Sequence, residues 1–282
     1  MASNKRKRLY KTLILYVVLV ALAVLFIFPL AWMVSTSLKP DDQVFLVPPK
    51  WIPNPIMWEN YPKALRYLSF WSHLRNSCII TFIPMIGELL SASLVAYSFA
   101  RLRWPGRDLL FLICLSTMML PAQVTMIPTF VLFHKLGWVE TLLPLVVPAF
   151  FGGGAFNIFL LRQFFVTLPM ELSDAARVDG CNELGIFFRI MLPLAKPALM
   201  VVAIFSFIWH WNDFMGPLIY VIKTEELYPL SLGLFRFTGP YGQTQFSYLM
   251  AASTVVLLPA LLLFIFAQQY FTEGIALSGL KG

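Results

Sequence analysis

Six apolar runs, each long enough to cross a membrane as a helix, dominate this sequence: 12–34, 78–100, 109–133, 142–161, 197–222 and 246–270. A hydrocarbon core takes about 20 helical residues. Backbone groups inside it must be satisfied within the segment, so long runs without strand alternation predict an all-α membrane protein with six transmembrane helices. Composition agrees, since 59% of the 282 residues are hydrophobic and only 12% charged, which is too little polar surface to keep a chain of this length in water. The charges sit in short stretches between the runs, and the net +7 follows from basic residues in loops, so no nucleic-acid partner is expected.

The first run follows Lys5, Arg6, Lys7, Arg8 and Lys11, as the core of a signal peptide would. Its 23 apolar residues exceed the roughly 7–15 of such a core, so an uncleaved first helix is expected. With the N-terminus in the cytoplasm, the inner segments hold thirteen Lys and Arg and the outer ones eight, which favours that orientation and, with six helices, a cytoplasmic C-terminus. The expected organisation is a cytoplasmic N-terminus (1–11), a six-helix transmembrane domain (12–270) and a cytoplasmic tail (271–282). A proline-rich outer loop spans 35–73, and a polar inner loop spans 162–196. The inner loop carries helix signals and is expected to be a structured element.

That inner loop reads Leu168-Pro169-Met170-Glu171-Leu172-Ser173-Asp174-Ala175-Ala176-Arg177-Val178-Asp179-Gly180, followed by Ile190-Met191-Leu192-Pro193. Pro169 in a first turn, with Glu171 and Asp174 near the positive end of the helix dipole, predicts a short helix that Gly180 stops. Ala175 and Ala176 carry almost no side chain, so such a helix can approach another backbone closely. Taken alone, the segment also fits an ordinary interfacial amphipathic helix.

The full spacing resembles the EAA loop of ABC importer permeases, E-A-A-x3-G-x9-I-x-L-P, with Asp174 where the family has glutamate. Tyr97-Ser98-Phe99-Ala100-Arg101-Leu102-Arg103-Trp104-Pro105-Gly106-Arg107 and Phe159-Leu160-Leu161-Arg162-Gln163-Phe164-Phe165 are similar to segments of the maltose-type, MalG-like sugar permeases. So are Trp211-Asn212-Asp213-Phe214 with Pro217-Leu218, and the tail 274–282, in which Ser278 and Leu280 depart from the usual small residues. The resemblance implies a type I importer permease in a bacterial inner membrane, carrying a carbohydrate delivered by an extracytoplasmic solute-binding protein. It also implies a second permease subunit and an ABC ATPase dimer that binds ATP and Mg. The helix between the fourth and fifth spans would couple to that ATPase through Glu171, Asp174, Ala175, Ala176, Arg177, Asp179 and Gly180. The tail would reach the ATPase. The cargo could instead be a glycerol phosphate, a polyol or a peptide.

No cofactor site, catalytic set or metal set is expected on this chain. G-x-x-x-x-G-K-[ST], H-E-x-x-H and G-x-S-x-G are absent, and His73, His134 and His210 are far apart in sequence. Cys78, Cys114 and Cys181 suggest no disulfide framework. Glu88 and Asp213 lie inside apolar runs, where a charge facing lipid costs about 2.5–3.5 kcal/mol, so both should face other helices or water. Glu88, Trp209, Trp211, Asn212 and Asp213 are candidates either for a solute pathway or for helix packing. A secondary transporter would need more intramembrane charge pairs or a repeated half, and neither is evident. Prolines such as Pro84, Pro121, Pro217 and Pro259, with Gly152-Gly153-Gly154, mark bends that serve as hinges or as static kinks.

Overall fold

The computed structural model describes residues 2–239 and 244–279, and among these the chain is helical with no strand. It forms two compact units, Met1–Ser69 with Leu234–Leu257 and Phe70–Gly233 with Leu258–Gly282. Four stretches are long and apolar enough to cross a membrane, and two bent pairs bring the number to six if each pair is one span.

In the first unit, helix α1 (Ala2–Ser37) carries the first apolar run. Its residues 10–29 are exposed throughout, so lipid or another protein must cover them. Its end is fastened to α2 (Asn60–Tyr67), where the Asn60 amide donates to the carbonyls of Ser37 and Lys39, both at 2.9 Å. Lys39, expected as an outer charge, is fully buried with its Nζ 3.8 Å over the Trp32 ring, and that burial lowers its pKa. The outer loop expected over 35–73 is thus shortened at both ends, with α1 running to Ser37, α3 starting at Phe70 and α2 inside the loop.

The second unit is built on α3 (Phe70–Arg101), an unbroken helix of 32 residues. The third apolar run is not one straight span: α4 (Arg107–Ser116) and a 3-10 turn meet α5 (Ala122–Lys135) at an angle of 100°. The cause is Pro121, which lacks an N–H and holds Leu120 in extended backbone. The fourth run starts as α6 (Leu143–Val146) with a 3-10 turn, passes through Gly152, Gly153 and Gly154, all at positive φ, and resumes as α7 (Ala155–Thr167). Helix α7 thus continues past Arg162.

Four short pieces and a long one follow: α8 (Glu171–Val178), α9 (Glu183–Ile186), a π turn at Phe187–Met191, α10 (Leu192–Leu194) and α11 (Lys196–Trp211). The stretch Glu183–Leu194 meets α11 at 78°. The fifth run was expected to stay helical to 222, but α11 stops after 16 residues. At 1.5 Å per residue that is about 24 Å, short of a hydrocarbon core of about 30 Å. The stop is built by side chains. Asn212 Nδ2 donates to the Ile208 carbonyl at 2.8 Å, and Asp213 Oδ1 accepts from Gly216 N–H at 3.0 Å, starting α12 (Met215–Tyr220). After α13 (Leu230–Gly233), α14 (Phe246–Gly279) carries the sixth run. Its backbone stays helical through most of the stretch read as a tail, and Leu280, Lys281 and Gly282 lie outside the described residues.

Helix α3 packs chiefly on α7 and α11. Ala92, Ala96 and Ala198 keep the helices close, and Ile158, Leu161, Phe165, Phe187, Met191 and Val202 fill the core. Backbones approach closely at Gly153, where a Cβ would stand 2.7 Å from the Glu88 carbonyl oxygen and 2.8 Å from Ala92 N. Gly152, also at positive φ, faces open space. Gly153→Ala is therefore expected to lower apparent stability by about 2 kcal/mol more than Gly152→Ala, since both strain the backbone but only one collides. Thermal unfolding of the two variants in detergent checks this, and equal midpoints would show that the contact is not tight.

Candidate functional site

The segment singled out by its spacing folds as α8, but it starts later than expected. Pro169 lies before the N-cap Met170, and Glu171 opens the helix. Glu171 and Asp174 occupy the first turn, where they complement the dipole. At the other end Gly180 takes φ +80°, with its N–H donating to Arg177 O at 3.0 Å and Cys181 N–H donating to Ala176 O at 2.9 Å. A left-handed glycine of this kind closes a helix that residues with a Cβ would close at a cost.

The two alanines turn out to face opposite ways. Ala176, with Ser173, is buried in the core of the second unit, whereas Ala175 is exposed. Ala175 sits three residues from Leu172 and three from Val178, so the three form one outward apolar ridge, with Val178 88% exposed. Glu171, Asp174, Asp179 and Gly180 are exposed too, so this side of the helix has small, apolar and acidic character.

The inward side is held by polar bonds. Arg177 donates through Nη1 to Asp174 Oδ1 at 2.7 Å and through Nε to Glu183 Oε1 at 2.8 Å. The Glu183 carboxylate, with Asp174 beside it, raises the Arg177 pKa further, so the guanidinium keeps its charge. The other Glu183 oxygen accepts from Tyr97 Oη at 2.7 Å, and Tyr97 is on α3. Arg101, the last residue of α3, is 4% exposed; its Nη2 donates to the Leu168 carbonyl at 2.5 Å, and its Nη1 lies 2.6 Å from Met170 Sδ. Sequence reasoning missed Glu183, Tyr97 and the Arg101 clamp. Glu183 stands six residues from Arg177, outside the helical pair spacings, and Tyr97 and Arg101 come from another helix. The only sequence signal was Asn182 before Glu183, an N-cap that places the carboxylate at the start of α9.

The second set of candidates does not gather into one site. Glu88, midway along α3, accepts from Ser206 Oγ at 2.5 Å, faces His210 Nε2 at 3.1 Å and has Asn157 Nδ2 at 3.4 Å, so it joins α3 to α7 and α11. His210, which was not among the candidates, joins this group through its hydrogen bond to Glu88. Trp211 is buried and stacked on Phe207 at 5.4 Å, Trp209 is 75% exposed, and Asn212 and Asp213 shape the helix break. Among the described residues no three His, Cys, Asp or Glu side chains group as a metal site requires.

Known proteins are similar to this chain in sequence and in fold. Residues 89–276 match the family described as binding-protein-dependent transport system inner membrane component. The arabinooligosaccharides transport system permease protein AraQ of Halalkalibacterium halodurans is 34% identical over 264 residues, covering 93% of each chain. The galactooligosaccharides transport system permease protein GanQ of Bacillus subtilis is 29% identical over 288 residues, covering 100% of each. A chain in the crystal structure of a bacterial ABC transporter involved in the import of the acidic polysaccharide alginate has the same fold, with a TM-score of 0.81, 24% identity and coverage of 92% of this chain and 95% of that one. The matched stretch includes α8, the end of α3 and the Asn157, Ser206 and His210 partners of Glu88, and this chain therefore belongs to the family of binding-protein-dependent transport system inner membrane components, as a multi-pass membrane permease.

Proposed function

We propose that this chain is one permease subunit of an ATP-driven importer that moves a carbohydrate, most simply an oligosaccharide, received from an extracytoplasmic binding protein. A second permease subunit completes the pathway and covers part of the bare surface of α1. ATP and Mg are bound by a separate ATPase dimer, in keeping with the lack of a phosphate-cradling G-x-x-x-x-G-K-[ST] on this chain. The N-terminus, the C-terminus and the 162–196 segment are on the cytoplasmic side, which the basic residues favour. Oligosaccharide transport by relatives that match nearly the full length supports the cargo.

One observation carries the coupling role. Helix α8 is fixed on its inward side and leaves outward a ridge of Leu172, Ala175 and Val178, flanked by acids and ended by a left-handed glycine. That is a narrow peg for a groove on another protein, with Ala175 at its crest. Glu171, Asp174 and Asp179 supply charge around it, Arg177 braces Asp174, and Ala176 seats the helix on its own core. During transport, closure of the ATPase dimer pulls on this helix, and the pathway opens toward the loaded binding protein.

Affinity capture of the tagged chain from its native membrane in mild detergent tests the reading. Wild type should bring down an ATPase, a second permease and a binding protein, whose sugar can then be screened. Ala175→Glu should cut ATPase recovery by about tenfold or more, because it buries an unpaired charge in the groove. Full recovery with Ala175→Glu would rule out docking through this ridge. A second variant probes the cap. A Cβ at Gly180 meets nothing within 4 Å, so Gly180→Val acts through backbone strain alone, at a cost of about 1–2 kcal/mol. It should insert at wild-type levels yet lose most uptake of the sugar so identified; normal uptake would show that the shape of this turn does not matter.

A further inference from the structure

We infer that Tyr97, Arg101 and Glu183 are positioning residues that lock α8 to α3, making α3 the membrane helix through which motion of the coupling helix enters the protein; this rests on the coupling role proposed for α8. Two independent polar links meet at the joint. Arg101 grips the chain just ahead of α8 through the Leu168 carbonyl, and Tyr97 reaches Glu183, which in turn holds Arg177 of α8. Ala176 packs into the same core as Tyr97. The second link is charge-assisted at Arg177 and Glu183, with geometry of 2.7–2.8 Å at each step.

The competing route runs along the backbone from α8 into α7, and the fold makes it the poorer lever. Helix α7 has 13 residues and ends at three glycines in positive φ, whereas α3 has 32 residues without a break, about 48 Å of continuous rod. From Arg101, about 20 Å along that rod, Glu88 is bonded to Ser206 and His210 of α11. A displacement of α8 thus passes to α3 at its Arg101 end and reaches α11 through Glu88, without relying on the glycine break.

Spin labels on Leu184→Cys in α9, which packs on α8 and lies off the docking ridge, and Leu94→Cys in α3, both outward-facing positions, test this in the importer assembled with its ATPase, with Cys78, Cys114 and Cys181 replaced by serine. The label distance should stay constant between nucleotide-free and ATP-bound complexes. In Tyr97→Phe and in Glu183→Gln it should shift by about 2 Å or more on ATP binding, the scale of helix shifts in switching proteins. The double variant should shift no further than either single one, because both changes cut the same link. A merely structural role would lower yield and thermal stability but leave no nucleotide-dependent shift. A wild-type distance that changes with ATP, or variants that stay as fixed as wild type, overturns the inference. The ATPase should co-purify with both variants. Loss of the ATPase from Ala175→Glu alongside rigid Tyr97→Phe would sink only the α3 linkage, while retention by Ala175→Glu would remove the coupling reading itself.

Discussion

Backbone hydrogen bonding in a medium without water is the constraint on which this structure depends. A chain this apolar must satisfy its N–H and C=O groups from within wherever lipid surrounds it, and that is why its described residues form helices and no strand and why interruptions are met by nearby side chains. At the end of α11 the Asn212 amide takes up the Ile208 carbonyl and the Asp213 carboxylate takes the Gly216 N–H. Before α7 the Ala149 carbonyl is met by Ser91 Oγ and the Gly153 carbonyl by Asn157 Nδ2. Breaks are affordable here only where a polar side chain stands ready, and those side chains tie neighbouring helices together.

The same economy governs charge. Glu88 is surrounded by Ser206, His210 and Asn157 from two other helices, so the residue that would be costly in lipid becomes the knot of the second unit. At the end of α3 the buried Arg101 guanidinium reaches the segment leading into α8, with Nη2 donating to the Leu168 carbonyl and Nη1 against Met170 Sδ. One helix therefore carries both an intramembrane node and the anchor of the candidate coupling element. Its chief packing partners, α7 and α11, have only 13 and 16 residues.

The class of fold was legible because it rests on run length and polar economy, which are properties of the sequence alone. The EAA-like spacing likewise located α8 and its closing glycine. Bends were harder to read. Pro84 sits inside the unbroken α3 while Pro121 ends a helix, and the difference lies in the backbone of the preceding residue and the neighbours available to each turn. The orientation of Ala176 toward the core, the Glu183 bridge and the pairing of His210 with Glu88 all depend on which helices meet. Local spacing does not encode that, so the grouping of Glu88 with the Trp209–Asp213 segment as a single candidate set gave way to three separate environments.

The central claim is that α8 is the surface on which an ATPase acts. A photo-crosslinking amino acid placed at Val178, exposed at 88%, and for comparison at Val47 in the other unit, exposed at 93%, addresses it directly in native membranes. The account predicts an ATP-binding subunit crosslinked at Val178 and absent at Val47. No such product at Val178, or the same product at both positions, would contradict it.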